Sequence, residues 1–197
     1  MATAQQTQFV NEEDYLAGEQ VSEIKHEYID GRVYAMAGAS HNHNLIAGNV
    51  HTAFNVHLKG KPCRPYISDM KVQIGTKYFY PDVMIDCNEL AGNSVYTNAP
   101  MILVEVLSNS TRRTDKCTKL MAYSQIQSLQ VYMLIEQDFV EVEVMRKTKG
   151  WLSERYYLGD EISFESIGLT LSVEDIYERV QNTDMTEWLQ QKINRQI

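Results

Sequence analysis

Apolar and polar positions along this chain alternate in two distinct periods, and the elements follow from them. The stretch "NEEDYLAGE" near residue 11 predicts a short acidic helix. In "HEYIDGRVYAMAG" two short β-type runs are joined by Asp30-Gly31, a strong hairpin signal. From about Asn42 to Leu58, Ile46, Val50, Ala53, Phe54 and His57 recur at three- and four-residue steps, which predicts a helix with that buried face. Extended segments are predicted at "PYISDMKVQIG" and "YFYPDVMID", a loop at "LAGNSVYTNAP", and a strand apolar on both faces at "MILVEVLS". A second helix is expected from about Thr111 to Gln127, with Cys117, Leu120, Met121 and Ser124 as its apolar stripe. "VYMLIE", "FVEVEVMR" and "WLSERYYLG" read as strands, and "LSVEDIYERV" as a helix capped by Ser172.

This order predicts an α/β (α+β) fold: a mixed β-sheet flanked by helices. Without linkers or internal repeats, residues 1–197 read as one domain, with 181–197 a polar helical tail anchored by Trp188 and Leu189.

Composition narrows the function classes. The 44% hydrophobic and 22% charged content are those of a globular chain. A net charge of -8 lacks the basic signature of many nucleic-acid-binding domains, so a polyanionic partner has to be met by a local patch or through metal ions. Cys63, Cys87 and Cys117 are odd in number and widely spaced. They suggest neither a zinc ribbon nor a disulfide framework, and read as small core residues in a reducing compartment. The first residues carry no signal-peptide pattern and no apolar run approaches ~20 residues, so a cytoplasmic protein without a membrane span is expected.

Two positions break the pattern. Pro81 and Asp82 interrupt the run "KYFYPDVMID", and Glu105 sits among apolar neighbours in "MILVEVLS". Proline donates no ladder hydrogen bond, and a buried carboxylate needs neutralising. Asp82 could cap a turn and Glu105 could pair with a lysine. Alternatively, carboxylates converging from neighbouring strands make an oxygen-ligand site for a hard cation such as magnesium. Lys119 lies beside the apolar stripe of the following helix, with Asp115 at i−4 and Tyr123 at i+4. It could reach the same cleft or stay paired with Asp115, and Lys116 competes for the role. His43 precedes Val50 by seven residues, which turns it toward the buried face of its helix. An HxH zinc site with His41 is discounted, because i and i+2 diverge on a helix.

Pro81-Asp82, Glu105-Val106-Leu107-Ser108 and Asp115-x-x-x-Lys119-x-x-x-Tyr123 resemble the PD-(D/E)xK nuclease superfamily and, more narrowly, the Uma-two family, over roughly residues 11–180. The resemblance implies a restriction-endonuclease-like fold and an endonuclease that hydrolyses DNA phosphodiesters with Mg2+ (or Mn2+). It assigns the metal to Asp82, Glu105 and the Val106 carbonyl, with Lys119 on the attacking water and Glu27 and His43 as supporting groups. Glu27 could equally be a strand-surface residue near Lys25 and Arg32; His43 could touch a phosphate or hold Glu27. One departure stands out: Leu107 occupies the position of the superfamily lysine. It leaves open an inactive nuclease-fold protein that binds nucleic acid or a protein partner. The resemblance also implies a homodimer, with RNA compatible as well as DNA. Candidate DNA contacts are Lys59, Lys61, Arg64, Arg112, Arg113 and Lys116.

Overall fold

The computed structural model describes residues 9–195; the leader reading of the first residues and the last two residues of the tail fall outside it. Two strands set the core. β8 (Ile102–Leu107) and β9 (Val131–Glu136) are buried at every position and pair in parallel, the arrangement that near-continuous apolar runs favour. They lie at the centre of a six-stranded sheet of order β11-β10-β9-β8-β6-β3, in which β3 is Arg64–Ile67, β6 Val83–Asp86, β10 Val142–Arg146 and β11 Ser153–Tyr156. A second sheet of order β2-β1-β5-β4-β7 is built from β1 (His26–Ile29), β2 (Arg32–Ala35), β4 (Lys71–Ile74), β5 (Lys77–Phe79) and β7 (Tyr96–Thr97).

Side-chain alternation along β8 sends its residues to two cores. Val104 and Val106 join α2 (His41–Leu58), whose Ile46, Val50, Phe54 and Leu58 are buried. A hairpin of β12 (Glu161–Phe164) and β13 (Leu169–Ser172) completes that side, and Phe164 meets Phe54 edge to face at 5.2 Å. Leu103 and Leu107 face the other way, toward Tyr123, Tyr132 and the Phe79 and Val72 side chains of the second sheet.

The β1–β2 hairpin forms at Asp30-Gly31, where both residues have positive φ (48° and 87°), as a tight primed turn requires. α1 (Glu12–Glu19) is capped by Asn11, and the four-residue α4 (Val173–Ile176) by Ser172. Helix α2 begins behind a Ser40 cap whose hydroxyl accepts from the His43 N–H.

Four expectations are corrected. The run "YFYPDVMID" is two strands rather than one: β5 belongs to one sheet and β6 to the other, with Pro81-Asp82 at the crossing. The helix after β8 comprises a π-helical segment, Thr114–Lys119, leading into α3 (Leu120–Tyr123), so it stops short of Gln127. Its inward residues are Asp115, Lys119, Ala122 and Tyr123, while Cys117 is exposed and Met121 is 66% exposed. The apolar stripe misled because this face meets a carboxylate cluster, which favours ionic partners. Cys63 and Cys87 form a disulfide, because the β3–β6 register that pairs Arg64 with Asp86 sets the two cysteines opposite each other. In the tail helix α5 (Thr183–Arg195), Met185 is the buried anchor and Leu189 is exposed.

Candidate active site

β6 and β8 are antiparallel neighbours, and the register pairing Val83 with Val104 sets Asp82 against Glu105 and Pro81 against Val106. The Asp82 carbonyl accepts from Ser68 N–H on the β3 side. Backbone groups alternate along a strand, so those of position 81 point at Val106. Proline there has no N–H to give, and the Val106 carbonyl loses its ladder donor. The Val106 N–H turns instead to the Asp82 carboxylate, Oδ2 at 2.7 Å. A proline that looked out of place in a strand thus leaves one main-chain oxygen of the buried sheet unclaimed by the ladder, facing the site.

Glu105 points to the opposite side of the sheet from Val106 and is 3% exposed. Its Oε1 accepts from Lys119 Nζ at 3.0 Å and from the Tyr123 hydroxyl at 2.9 Å. The Lys119 ammonium also lies 2.9 Å from Glu27 Oε1 and 3.1 Å from Asp115 Oδ1. The ammonium thus donates to Glu105 and sits in ion-pair contact with Glu27 and Asp115, whose Oδ1 is buried without a hydrogen bond of its own. Tyr132 closes the floor by donating to the Asp115 carbonyl at 3.1 Å. From the first turn of α2, His43 Nε2 reaches Asp82 Oδ2 at 3.3 Å, and its ring lies beside the Val106 backbone.

Four carboxylates thus surround one ammonium and one imidazole, and the titration of the groups reflects this excess. Burial pushes the Glu105 carboxyl well above its ordinary range, although the Lys119 ammonium pulls against the shift. Burial works against the Lys119 ammonium too, but Glu105, Glu27 and Asp115 outweigh it and hold it firmly protonated. For His43 burial opposes the charged form, and the Asp82 carboxylate overcomes it, raising the imidazole above its usual value. Burial and Glu105 keep Tyr123 a phenol.

Asp82, Glu105, Val106, Lys119, Glu27 and His43 therefore converge at the crossing between the sheets. His43 contacts Asp82, however, rather than holding Glu27, and Glu27 is bound to Lys119 instead of lying free on the strand surface. Lys116 turns away to Glu143 at 3.1 Å and Glu136 at 3.5 Å, so of the two lysines only Lys119 enters the cluster. Leu107 is 1% exposed in the core, and the amine beside Glu105 comes from Lys119 on the following helix. Asp115 and Tyr123 join the site as well, and their i−4 and i+4 spacing from Lys119 is the sequence signal for them.

Among the proposed DNA contacts, Arg112 is held by the buried Glu136 through Nε at 3.0 Å and a terminal nitrogen at 2.5 Å. Lys59 follows the far end of α2, about 24 Å along the helix axis from His43. Lys61 and Arg64 follow it there, leaving Arg113 exposed on the site's own helix.

The Uma2 (Uma-two) family model, described as "Putative restriction endonuclease", matches residues 12–174. The chain belongs to the Uma2 family. It is 38% identical over 170 residues to uncharacterized protein slr1290 of Synechocystis sp. PCC 6803, covering 84% of this chain and 90% of that one. It is 33% identical over 172 residues to uncharacterized protein sll1609 of the same organism, covering 84% and 94%. The crystal structure of "a putative nuclease belonging to DUF820" from Anabaena variabilis ATCC 29413 superposes with a TM-score of 0.71 at 20% identity, covering 87% of this chain and 99% of that one. This Uma2 chain accordingly shares the fold of that protein.

The donor set fits a hard divalent cation. Asp82 Oδ1 and Glu105 Oε2 accept no hydrogen bond among the described residues, and the Val106 carbonyl, opposite a proline that has no N–H, lies beside the His43 ring. Among those residues no group of three or more His, Cys, Asp or Glu side chains is arranged to hold a metal. Two carboxylates and a carbonyl suit Mg2+, which keeps several waters and takes few protein ligands.

Proposed function

We propose that this protein is a Mg2+-dependent endonuclease that hydrolyses DNA phosphodiesters, with Mn2+ as an alternative ion. The observation carrying this reading is the β6–β8 register, which, carried one residue past the Val83–Val104 pair, sets Asp82 beside Glu105, next to a lysine whose amine lies 3.0 Å from Glu105. Asp82, Glu105 and the Val106 carbonyl would hold the ion. A bound divalent cation would polarise the phosphate and lower the pKa of a nearby water.

The remaining steps belong to the chain. Lys119 is the positive charge nearest the reacting phosphate and orients the attacking water from the Glu105 side. Glu27 and Asp115 keep its amine protonated and aimed; they are positioning residues. Tyr123 fixes the Glu105 rotamer, and His43 fixes Asp82. Leu107, the departure that favoured an inactive protein, loses force as an objection because Lys119 delivers the amine from the adjacent helix. Arg113 and neighbouring polar groups contact the DNA backbone.

We further propose a cytoplasmic homodimer, with the exposed Leu189 and Ile193 of α5 at its interface. Among the described residues no helix is long and apolar enough to cross a membrane. The test is cleavage of supercoiled plasmid DNA with magnesium or manganese. Nicking or linearisation that disappears in Glu105→Ala supports the reading. Absence of cleavage of DNA and RNA with either metal, with Glu105→Ala leaving metal binding unchanged, overturns it in favour of a non-cutting nucleic-acid or protein binder.

A further inference from the structure

A second buried lysine lies outside the carboxylate cluster. The β4–β5 register that pairs Val72 with Phe79 sets Lys71 opposite Tyr80. Lys71 is 5% exposed, yet among the described residues its ammonium has no carboxylate in ion-pair contact and no hydrogen-bond acceptor. Its nearest partner is the Tyr80 ring, with the centroid 5.0 Å away.

Two of the three carboxylates around it are committed elsewhere. Glu19 accepts from the His26 N–H at 3.2 Å, from His26 Nδ1 at 2.8 Å and from the Tyr80 hydroxyl at 2.8 Å. Asp69 is paired with Lys25, and Glu23 is exposed at the rim. The Lys71 ammonium thus has no counter-ion in contact while its stem is buried, and burial holds the amine below the ordinary lysine range against the pull of Glu19.

Lys71 lines a cavity of about 530 Å³ with an apolar side formed by Ile24, Tyr66, Ile67, Met70 and Val95 and a charged side formed by Glu19, Glu23, Lys25 and Asp69. That volume lies within the range that accommodates small organic ligands. The cavity abuts the cluster: Tyr80 N–H reaches Glu27 at 3.4 Å, and the Ser68 N–H holds the Asp82 carbonyl at 3.0 Å.

We propose that this cavity is a second ligand site, in which the Lys71 ammonium takes a phosphate monoester while the attached sugar and base lie against Tyr66, Ile67 and Met70. The ligand is a nucleotide, free or at the 5′ end of a nucleic-acid strand. The choice of phosphate over other anions rests on the nuclease reading; the unpartnered cation beside the apolar side of the cavity does not.

The test uses the full chain with 13Cε-labelled lysine, without divalent metal and with chelator present, so that cleavage plays no part. The Lys71 resonance is assigned by its loss in the conservative Lys71→Arg and, independently, in Lys71→Met. Deoxyadenosine 5′-monophosphate is expected to shift it saturably, and deoxyadenosine to leave it in place. By calorimetry Lys71→Met binds the monophosphate at least about tenfold more weakly, and Lys71→Arg stays within about threefold of the parent. A Lys71 signal unmoved by the monophosphate at ~10 mM, or moved equally by deoxyadenosine, overturns the proposal; this readout stands even if Lys71→Met fails to fold. A 5′-phosphorylated tetranucleotide binding about tenfold more tightly than the monophosphate assigns the site to strand ends, and equal or weaker binding assigns it to free nucleotides; both support it. A protein that binds the monophosphate but cuts nothing retains this site and loses only the nuclease reading.

Discussion

Replacing Lys119 by methionine removes the positive charge on which the carboxylate cluster closes. The side chains of Lys119, Glu105 and Asp115 are at most 5% exposed, so solvent does little to replace the lost charge. Breaking a buried ion pair by deleting one partner costs about 3–5 kcal/mol. An independent route gives a similar figure. Without Lys119, one further carboxylate has to take up a proton on folding. At 1.36 kcal/mol per pH unit, holding a glutamate of unfolded pKa about 4.3 protonated at pH 7 costs about 3.7 kcal/mol. The same step at pH 5 costs about 1 kcal/mol. The sign follows from burial raising the carboxyl pKa in the folded state, the direction already seen for Glu105. The penalty is absent below the unfolded pKa and grows as pH rises. Urea unfolding of Lys119→Met and parent, followed by tryptophan fluorescence in chelator at pH 5 and pH 7, should show about 4 kcal/mol lost at pH 7 and about 1 at pH 5. Adding Glu27→Gln should recover part of the pH 7 loss. An equal loss at both pH values, or less than about 1 kcal/mol at pH 7, would refute the electrostatic reasoning.

Three further outcomes are expected. Pro81→Ala restores an N–H opposite the Val106 carbonyl and should weaken Mg2+ binding severalfold by calorimetry, with stability changed by only about 1 kcal/mol. Reducing the Cys63–Cys87 disulfide, which spans a sequence separation of 24, should lower unfolding free energy by about 3 kcal/mol, read by urea titration with and without dithiothreitol. Arg112→Ala should destabilise the fold by about 3 kcal/mol at pH 7, because it takes the bidentate partner from the buried Glu136; Arg113→Ala should leave stability unchanged in the same assay.

What could be read from the sequence followed the strength of the local signal. The α2 helix, the Asp30-Gly31 hairpin and the apolar strands at β8 and β9 carry their own periodicity, and those elements appear where the pattern puts them. The anomalies at Pro81, Asp82 and Glu105 pointed to the cluster because a proline and two acids conflict with strand burial unless something compensates. Three features needed tertiary information. The division of "YFYPDVMID" between two sheets depends on strand pairing that no local window contains. The inward face of the helix after β8 is chosen by the carboxylates it meets, so Lys119 and Asp115 turn inward while Met121 turns out. The Cys63–Cys87 bond is a consequence of β3–β6 register, which spacing along the chain does not reveal. The β12–β13 hairpin was missed for a related reason: its strands are four residues each and gain stability only on the α2 core.

The central claim is that Asp82 and Glu105 form the binding site of a divalent cation. A crystal soaked in manganese and measured for anomalous scattering tests it most directly. The expected result is a peak between the two carboxylates, within coordination distance of the Val106 carbonyl and lost in Glu105→Gln. A fully folded protein showing no peak there, or showing manganese only at other surface carboxylates, would contradict it.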